Sequence, residues 1–164
     1  MSPPVTTPDE PHASPPDASE PTTTPPILRR VVVVLCEPQD PINIGNTVRA
    51  MKNMGLTRLR LVRPADPNPD VIQISAPRAG DLIQSIEVFD TLDDALADTV
   101  LTVAMTARGR AARQVVQRPR DAAPELLQHA ALGPVALLFG REDRGLTNAQ
   151  IDRAERVITI PTRP

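Results

Sequence analysis

The 164-residue chain carries 18 basic and 20 acidic side chains, one cysteine, two phenylalanines and no tryptophan or tyrosine. That length suits one domain of about 100–150 residues plus a tail; a lone cysteine excludes an internal disulfide or a cysteine zinc cluster; and the lack of aromatics argues against base stacking. No apolar run approaches the roughly 20 residues that span a bilayer, and the N-terminus has no secretory-signal pattern, so a cytoplasmic protein without a membrane partner is expected.

Charge is unevenly spread. Residues 1–28 hold Asp9, Glu10, Asp17 and Glu20 but no Lys or Arg, leaving 18 basic against 16 acidic side chains in residues 29–164. That balance permits an RNA partner but falls short of the field of a non-specific nucleic-acid binder. Lys52 is the only lysine; the other 17 cations are arginines, whose planar fork suits phosphate and carboxylate. A GC-rich genome would favour the same composition. Cys36 reads as buried filler, and His12 and His129 form no metal pair, so no metal is expected.

In chain order, residues 1–28 contain nine prolines and five threonines, which reads as a disordered acidic tail. Residues 29–164 form the domain. Val31–Leu35 is a continuous β-branched run, as in a strand buried on both faces. A helix follows over about Ile44–Asn53, with Asn43 as its cap and Gly55 as its stop. Leu59–Val62 is a strand, Ala76–Ser85 a helix and Glu87–Phe89 a short strand. Thr91 caps Leu92–Ala97, with Asp93 and Asp94 where the helix dipole favours acids. Thr99–Met105 is a strand, Thr106–Arg120 a basic loop, Ala123–Ala130 a helix and Val135–Phe139 a strand. Thr147 caps Asn148–Ala154, and Val157–Ile160 is the last strand. This alternation predicts an α/β fold, a mostly parallel sheet with helices on both faces.

Three strand-end turns carry candidate chemistry, because ligands of open α/β sheets bind at strand ends. After the first strand, Asn46, Arg49 and Asn53 share a helical face with Lys52 at its edge, while Ile44, Val48 and Met51 can pack on the sheet. Taken alone, this segment reads first as an amphipathic helix with a solvated polar face. Gly140–Gly145 brackets four charges, Arg141, Glu142, Asp143 and Arg144; Glu142 could receive a ribose or amine, or hold Arg49 as an ion pair. In the third turn, Thr106 and Ala107 are small enough to admit a flat ligand, and Arg108, Arg110 and Arg113 could meet a phosphate backbone. A mobile surface loop is the competing account. No GxGxxG, GxxxxGK[ST] or GxSxG pattern occurs.

Together these segments resemble the SpoU (TrmH-type) branch of the SPOUT RNA methyltransferases, most of all the TrmJ-type tRNA cytidine/uridine ribose 2′-O-methyltransferases. Asn43, Gly45 and Arg49, followed by Lys52, Asn53 and Gly55, match the first family motif. Phe139, Gly140, Glu142, Gly145 and Leu146 match the second. The likeness runs from about Arg30 to Pro161. A third motif, a Ser-Leu-Asn element after Ile160-Pro161-Thr162, is missing, since the chain stops at Pro164. In the family that segment completes a trefoil knot, supplies half of the cofactor pocket and forms much of the dimer interface. A C-terminally truncated domain with an incomplete knot is therefore expected.

The resemblance implies methyl transfer from S-adenosylmethionine to a ribose 2′-hydroxyl of tRNA or rRNA by a homodimer. Arg49 would be the catalytic arginine, with Asn43 and Glu142 positioning it and the ribose. A guanidinium is a poor base, so Arg49 would clamp an RNA phosphate and stabilise the developing alkoxide. Thr106, Ala107, Gly140 and Ile160 would line the adenosine pocket. Lys52, Arg108, Arg110, Arg141 and Arg144 would contact RNA. The alternative is a catalytically inactive RNA-binding homologue, on the ground of the missing motif.

Overall fold

The computed structural model describes residues 25–107 and 116–160. After a 3-10 helix, Pro26–Arg30, the elements are β1 (Val31–Cys36), α1 (Pro41–Asn53), β2 (Arg58–Val62), α2 (Pro69–Ser75), α3 (Gly80–Gln84) and β3 (Glu87–Phe89). Then come α4 (Leu92–Leu96), β4 (Leu101–Thr106), β5 (Val116–Gln117), α5 (Pro119–Leu132), β6 (Val135–Phe139), α6 (Asn148–Ile151) and β7 (Arg156–Thr159). The seven strands form one sheet in the order β3-β2-β1-β6-β4-β7-β5. Every ladder between them is parallel, so all described strands end at one edge.

The valine run works as its composition suggests. Alternate side chains of a strand face opposite sides of the sheet. Val32, Val34 and Cys36 join Ala136 and Leu138 in the core beneath α4 and α6, whereas Val33 joins Ile44, Val48, Met51, Leu59 and Leu61 beneath α1–α3. Leu101, Val103 and Val135 face α5 on that second side, with Ile27 of the 3-10 helix packed against them. Pro26–Leu28, assigned to the tail by composition, thus belong to the first ordered turn.

The expected elements are present with shifted ends. The first helix begins at Pro41, and its cap is Asp40, whose carboxylate accepts the Ile42 N–H, rather than Asn43. Gly55 ends the unit with φ of 73°, a left-handed conformation that glycine adopts without strain. The helix expected over Ala76–Ser85 shrinks to α3, because the chain first forms α2, which starts at Asn68-Pro69. There the Asn68 side chain accepts the Asp70 N–H and proline fills the first helical position. Among the described residues no helix is long and apolar enough to cross a membrane.

One buried cation stiffens the β2 side. Arg60 is 4% exposed. It donates to the Ala95 carbonyl at 2.7 Å and to both Asp98 carboxylate oxygens at 2.6 and 2.9 Å, and lies 5.5 Å from the Phe89 ring centroid. Most of its donors are therefore satisfied, as a buried guanidinium requires.

Candidate functional site

The chain moves outward from β1 through β2 to β3, then returns to build β6, β4 and β7 on the other side of β1. The crevice between β1 and β6 is the topological switch point, where open α/β sheets place ligands. The segments after these two strands meet there. Glu37, directly after β1, adopts φ of 54°, and Arg63, directly after β2, adopts φ of 46°. A left-handed conformation costs a non-glycine residue about 1–2 kcal/mol, and the two side chains form an ion pair across the strand ends. The turn at Glu37 aims the next residues at β6, and its carbonyl accepts the Gln39 Nε2 donor at 2.6 Å.

Glu142 receives that segment. Its carboxylate accepts the backbone N–H of Gln39 at 3.1 and 3.2 Å, the N–H of Asp40 at 3.5 Å and the side-chain amide of Asn43 at 3.4 Å. Partial burial pushes its carboxyl up, but the backbone donors of Glu142 itself, Gln39 and Asp40, together with Asn43, outweigh this and hold it below its ordinary value. Glu142 is thus an ionised acceptor fixed at the entrance of α1. The turn that carries it is closed by the Gly145 N–H donating to the Arg141 carbonyl at 2.8 Å. Gly140 is obligatory here: a Cβ would lie 2.1 Å from the Gly145 carbonyl carbon and 2.2 Å from the Leu146 nitrogen.

A hollow of about 570 Å³ opens beside this junction. Asn43, Asn46, Thr47, Ala50, Met51 and Met54 line it from α1 at helical spacing, and Val33, Leu35, Leu137 and Phe139 form its sheet wall. Gly140 and Glu142 stand at its polar end. Arg49 is not among the lining residues, and the expected Arg49–Glu142 ion pair does not form. By helical spacing Arg49 falls on the flank of Gly45, which packs on α2, and Lys52, which reaches α3, while Glu142 contacts the first turn of α1. Arg49 is exposed, with no hydrogen-bond or ion-pair partner recorded among the described residues.

The expected cofactor residues gather at the same sheet edge. Thr106 and Thr159 are register partners, the Ile160 N–H donates to the Thr106 carbonyl at 2.9 Å, and Gly140 follows β6, the neighbour of β4. Ala107 is exposed just beyond β4. The Thr159 Oγ1 atom is buried without a hydrogen-bond partner; sequence reasoning missed it, although a hydroxyl in the apolar run Val157–Ile160 was a visible signal. The roles of the Gln39 and Asp40 backbone carried no signal in side-chain type.

The expected RNA contacts are differently placed. Lys52 is held by Asp81 at 2.5 Å, and Arg141 makes a two-pronged pair with Asp143 at 2.9 and 3.0 Å. Arg144 is 71% exposed and only grazes Asp143 at 3.4 Å. Arg108 and Arg110, with Arg113, lie outside the described residues.

A model of the SpoU rRNA methylase family matches residues 30–164. The chain belongs to that family. Over 136 residues it is 43% identical to the tRNA (cytidine/uridine-2′-O-)-methyltransferase TrmJ of Sodalis glossinidius, covering 82% of this chain and 53% of that protein. This SpoU chain thus spans about half the length of the curated relatives it matches. Among solved structures, a methylase family protein from Neisseria gonorrhoeae superposes with a TM-score of 0.77 at 37% identity, covering 89% of this chain and 77% of the other. TrmJ from Z. mobilis ZM4 gives 0.73 at 38% identity, covering 81% and 59%. The expected fold class holds: a parallel SPOUT-type sheet with helices on both faces.

Proposed function

We propose that residues 29–164 form the methyltransferase domain of an S-adenosylmethionine-dependent enzyme that methylates a ribose 2′-hydroxyl of tRNA, acting as a homodimer in the cytoplasm. The observation that carries this reading is the docking of the Glu142 turn onto the start of α1 at the switch point, which unites the two family motifs in one edge. Named relatives that methylate tRNA favour tRNA over rRNA as substrate.

The strand ends suit the cofactor. The orphaned Thr159 hydroxyl is a buried polar atom in want of a partner, and such atoms are costly unless a ligand or water satisfies them. Thr106, Ala107, Gly140 and Ile160 would hold the adenosine, mainly through backbone groups. The cofactor supplies a methyl group already activated on a sulfonium. The protein's own task is to hold the hydroxyl in line and stabilise its developing charge.

Arg49, exposed outside the hollow, would reach the bound RNA from the flank of α1 and offer planar donors to a phosphate and to the oxygen that becomes negative. Asn43, braced by Glu142, orients the ribose. The hydroxyl proton leaves to water or to a phosphate oxygen, because Glu142 has its lone pairs engaged by N–H donors and Arg49 has none to give.

The half-buried strip of Leu35, Leu137 and Phe139 supports the dimer. A parallel sheet is normally covered on both faces, and beside Met54, which is 68% exposed, this strip offers an apolar face to a second copy. The test is methyl-labelled cofactor with unfractionated tRNA, followed by nuclease mapping of 2′-O-methyl nucleotides and measurement of mass in solution. Label at a ribose 2′-oxygen by a dimer is expected; cofactor and tRNA binding without transfer would sink the enzyme reading in favour of an inactive RNA-binding protein.

A further inference from the structure

Two fixed points define what passes beside Arg49. Gly45, four residues earlier, is pressed against α2, where an added Cβ would lie 2.0 Å from Ser75 Oγ and 2.4 Å from the Ile72 carbonyl oxygen. The Ser75 hydroxyl also donates to the Ile42 carbonyl at 3.1 Å. Lys52, three residues later, reaches Asp81 in α3 at 2.5 Å. The connection 76–79 therefore runs alongside α1 between these points, past Arg49. In it, Ala76 and Ala79 are buried at 1% and 3% exposure, while Pro77 and Arg78 are exposed. The Ala79 N–H donates to the Ala76 carbonyl at 3.1 Å and the Ile83 N–H to the Ala79 carbonyl at 2.9 Å. Arg78 thus projects from a turn pinned on both sides.

The electrostatics point the same way. Residues 73–84 contain one acid, Asp81, and Lys52 already occupies it. Arg49 and Arg78 are both exposed, and neither has a recorded hydrogen-bond or ion-pair partner among the described residues. Two unneutralised guanidiniums on facing elements repel each other unless an anion lies between them. Arginine forks bind phosphate in two-pronged fashion.

We propose that Arg78 is a substrate-positioning residue that grips the RNA backbone beside Arg49, so that the two arginines clasp neighbouring phosphates from α1 and the α2–α3 connection. This rests on the RNA methyltransferase reading above. Arg78 does not act on the reacting atoms; it fixes the strand on which Arg49 works.

The experiment measures binding of unfractionated tRNA by the whole protein over a salt series, with kcat and KM for methyl transfer, for the unaltered protein, Arg78→Ala, Arg78→Lys and Arg49→Ala. Arg78→Ala should weaken binding roughly threefold to tenfold and flatten the dependence of log affinity on log salt by about 0.7 to 1. KM should rise with kcat nearly kept, and Arg78→Lys should recover most of the salt slope. Unfolding temperature should not move. If Arg78→Ala leaves the salt slope unchanged while Arg49→Ala abolishes transfer, this proposal is overturned and the enzymatic reading stands. Failure of the unaltered protein to bind tRNA would overturn both.

Discussion

The side-chain amide of Asn43 donates to the carboxylate of Glu142 at 3.4 Å, although 99 residues of chain separate them. With the Gln39 and Asp40 N–H groups on the same carboxylate, this contact ties the turn after β6 to the helix after β1. Neither turn alone makes the site. Four consequences can be measured.

Glu142→Gln keeps one acceptor oxygen but removes the charge that several N–H groups share. Because Glu142 is exposed, stability should fall by less than about 1 kcal/mol, read from the urea midpoint. Methyl transfer should fall by roughly tenfold to a hundredfold, since a shift of about 1 Å in a positioning group is enough for that. Full activity in this variant would remove Glu142 from the site.

Arg49→Ala should behave in the opposite proportion. An exposed side chain away from caps and networks usually changes stability by no more than about 0.5 kcal/mol, so the thermal midpoint should stay put. Cofactor affinity, by calorimetry, should also be kept. Turnover should drop by at least about a hundredfold, the scale seen when one charge-stabilising donor is lost.

Gly140 and Gly145 should fail for different reasons. Alanine at 140 places its Cβ 2.1 Å from backbone atoms of Gly145, which cannot swing away, so a loss of about 1–3 kcal/mol is expected from overpacking. At 145 there is open space, but φ is 73°. Alanine there should cost about 1–2 kcal/mol from conformation alone, and asparagine should be milder. Denaturant unfolding of Gly140→Ala, Gly145→Ala and Gly145→Asn separates the two causes; equal losses from Gly145→Ala and Gly145→Asn would contradict the conformational one.

Acid should loosen the β2 side through Asp98. Its hydrogen bonds from Arg60, opposed by partial burial and aided by the Arg60 and Arg58 charges, hold its carboxyl down to about 2. A carboxyl depressed on folding adds stability above its unfolded value, near 3.9, and that stability drains away as pH falls from about 4 to about 2. The side chain is 48% exposed, so after solvent screening the effect is about 1 kcal/mol. Asp98→Asn should be less stable than the parent at pH 7, with the gap closing between pH 4 and pH 2 in urea titrations.

The strand-turn-helix units were legible because Val31–Leu35 and Val135–Phe139 are uninterrupted apolar runs, each followed by a polar stretch, Glu37–Asp40 in one case and Gly140–Gly145 in the other. Asn43 and Glu142 could be picked out for the same reason. The surroundings of Arg49 could not: apolar spacing shows that Ile44, Val48 and Met51 face the sheet, but what lies along the Arg49 flank is set by Gly45 packing on Ser75, a contact 30 residues away that no local pattern encodes. Helix α2 was legible in Asn68-Pro69 yet overlooked, since Asn-Pro also opens turns. Lys52 looked free as a cation until α3 brought Asp81 beside it.

Strand β1 pairs with β2 on one side and with β6 on the other, Val31 standing opposite Val135. During synthesis at about 5–20 residues per second, the β6 edge of Val31–Leu35 therefore waits for several seconds, bare and strongly β-forming. A nascent chain interrupted before Val135 would carry that open ladder with no partner of its own, ready to recruit another strand. Ribosome-bound intermediates of this length should accordingly depend on chaperones far more than the finished protein does.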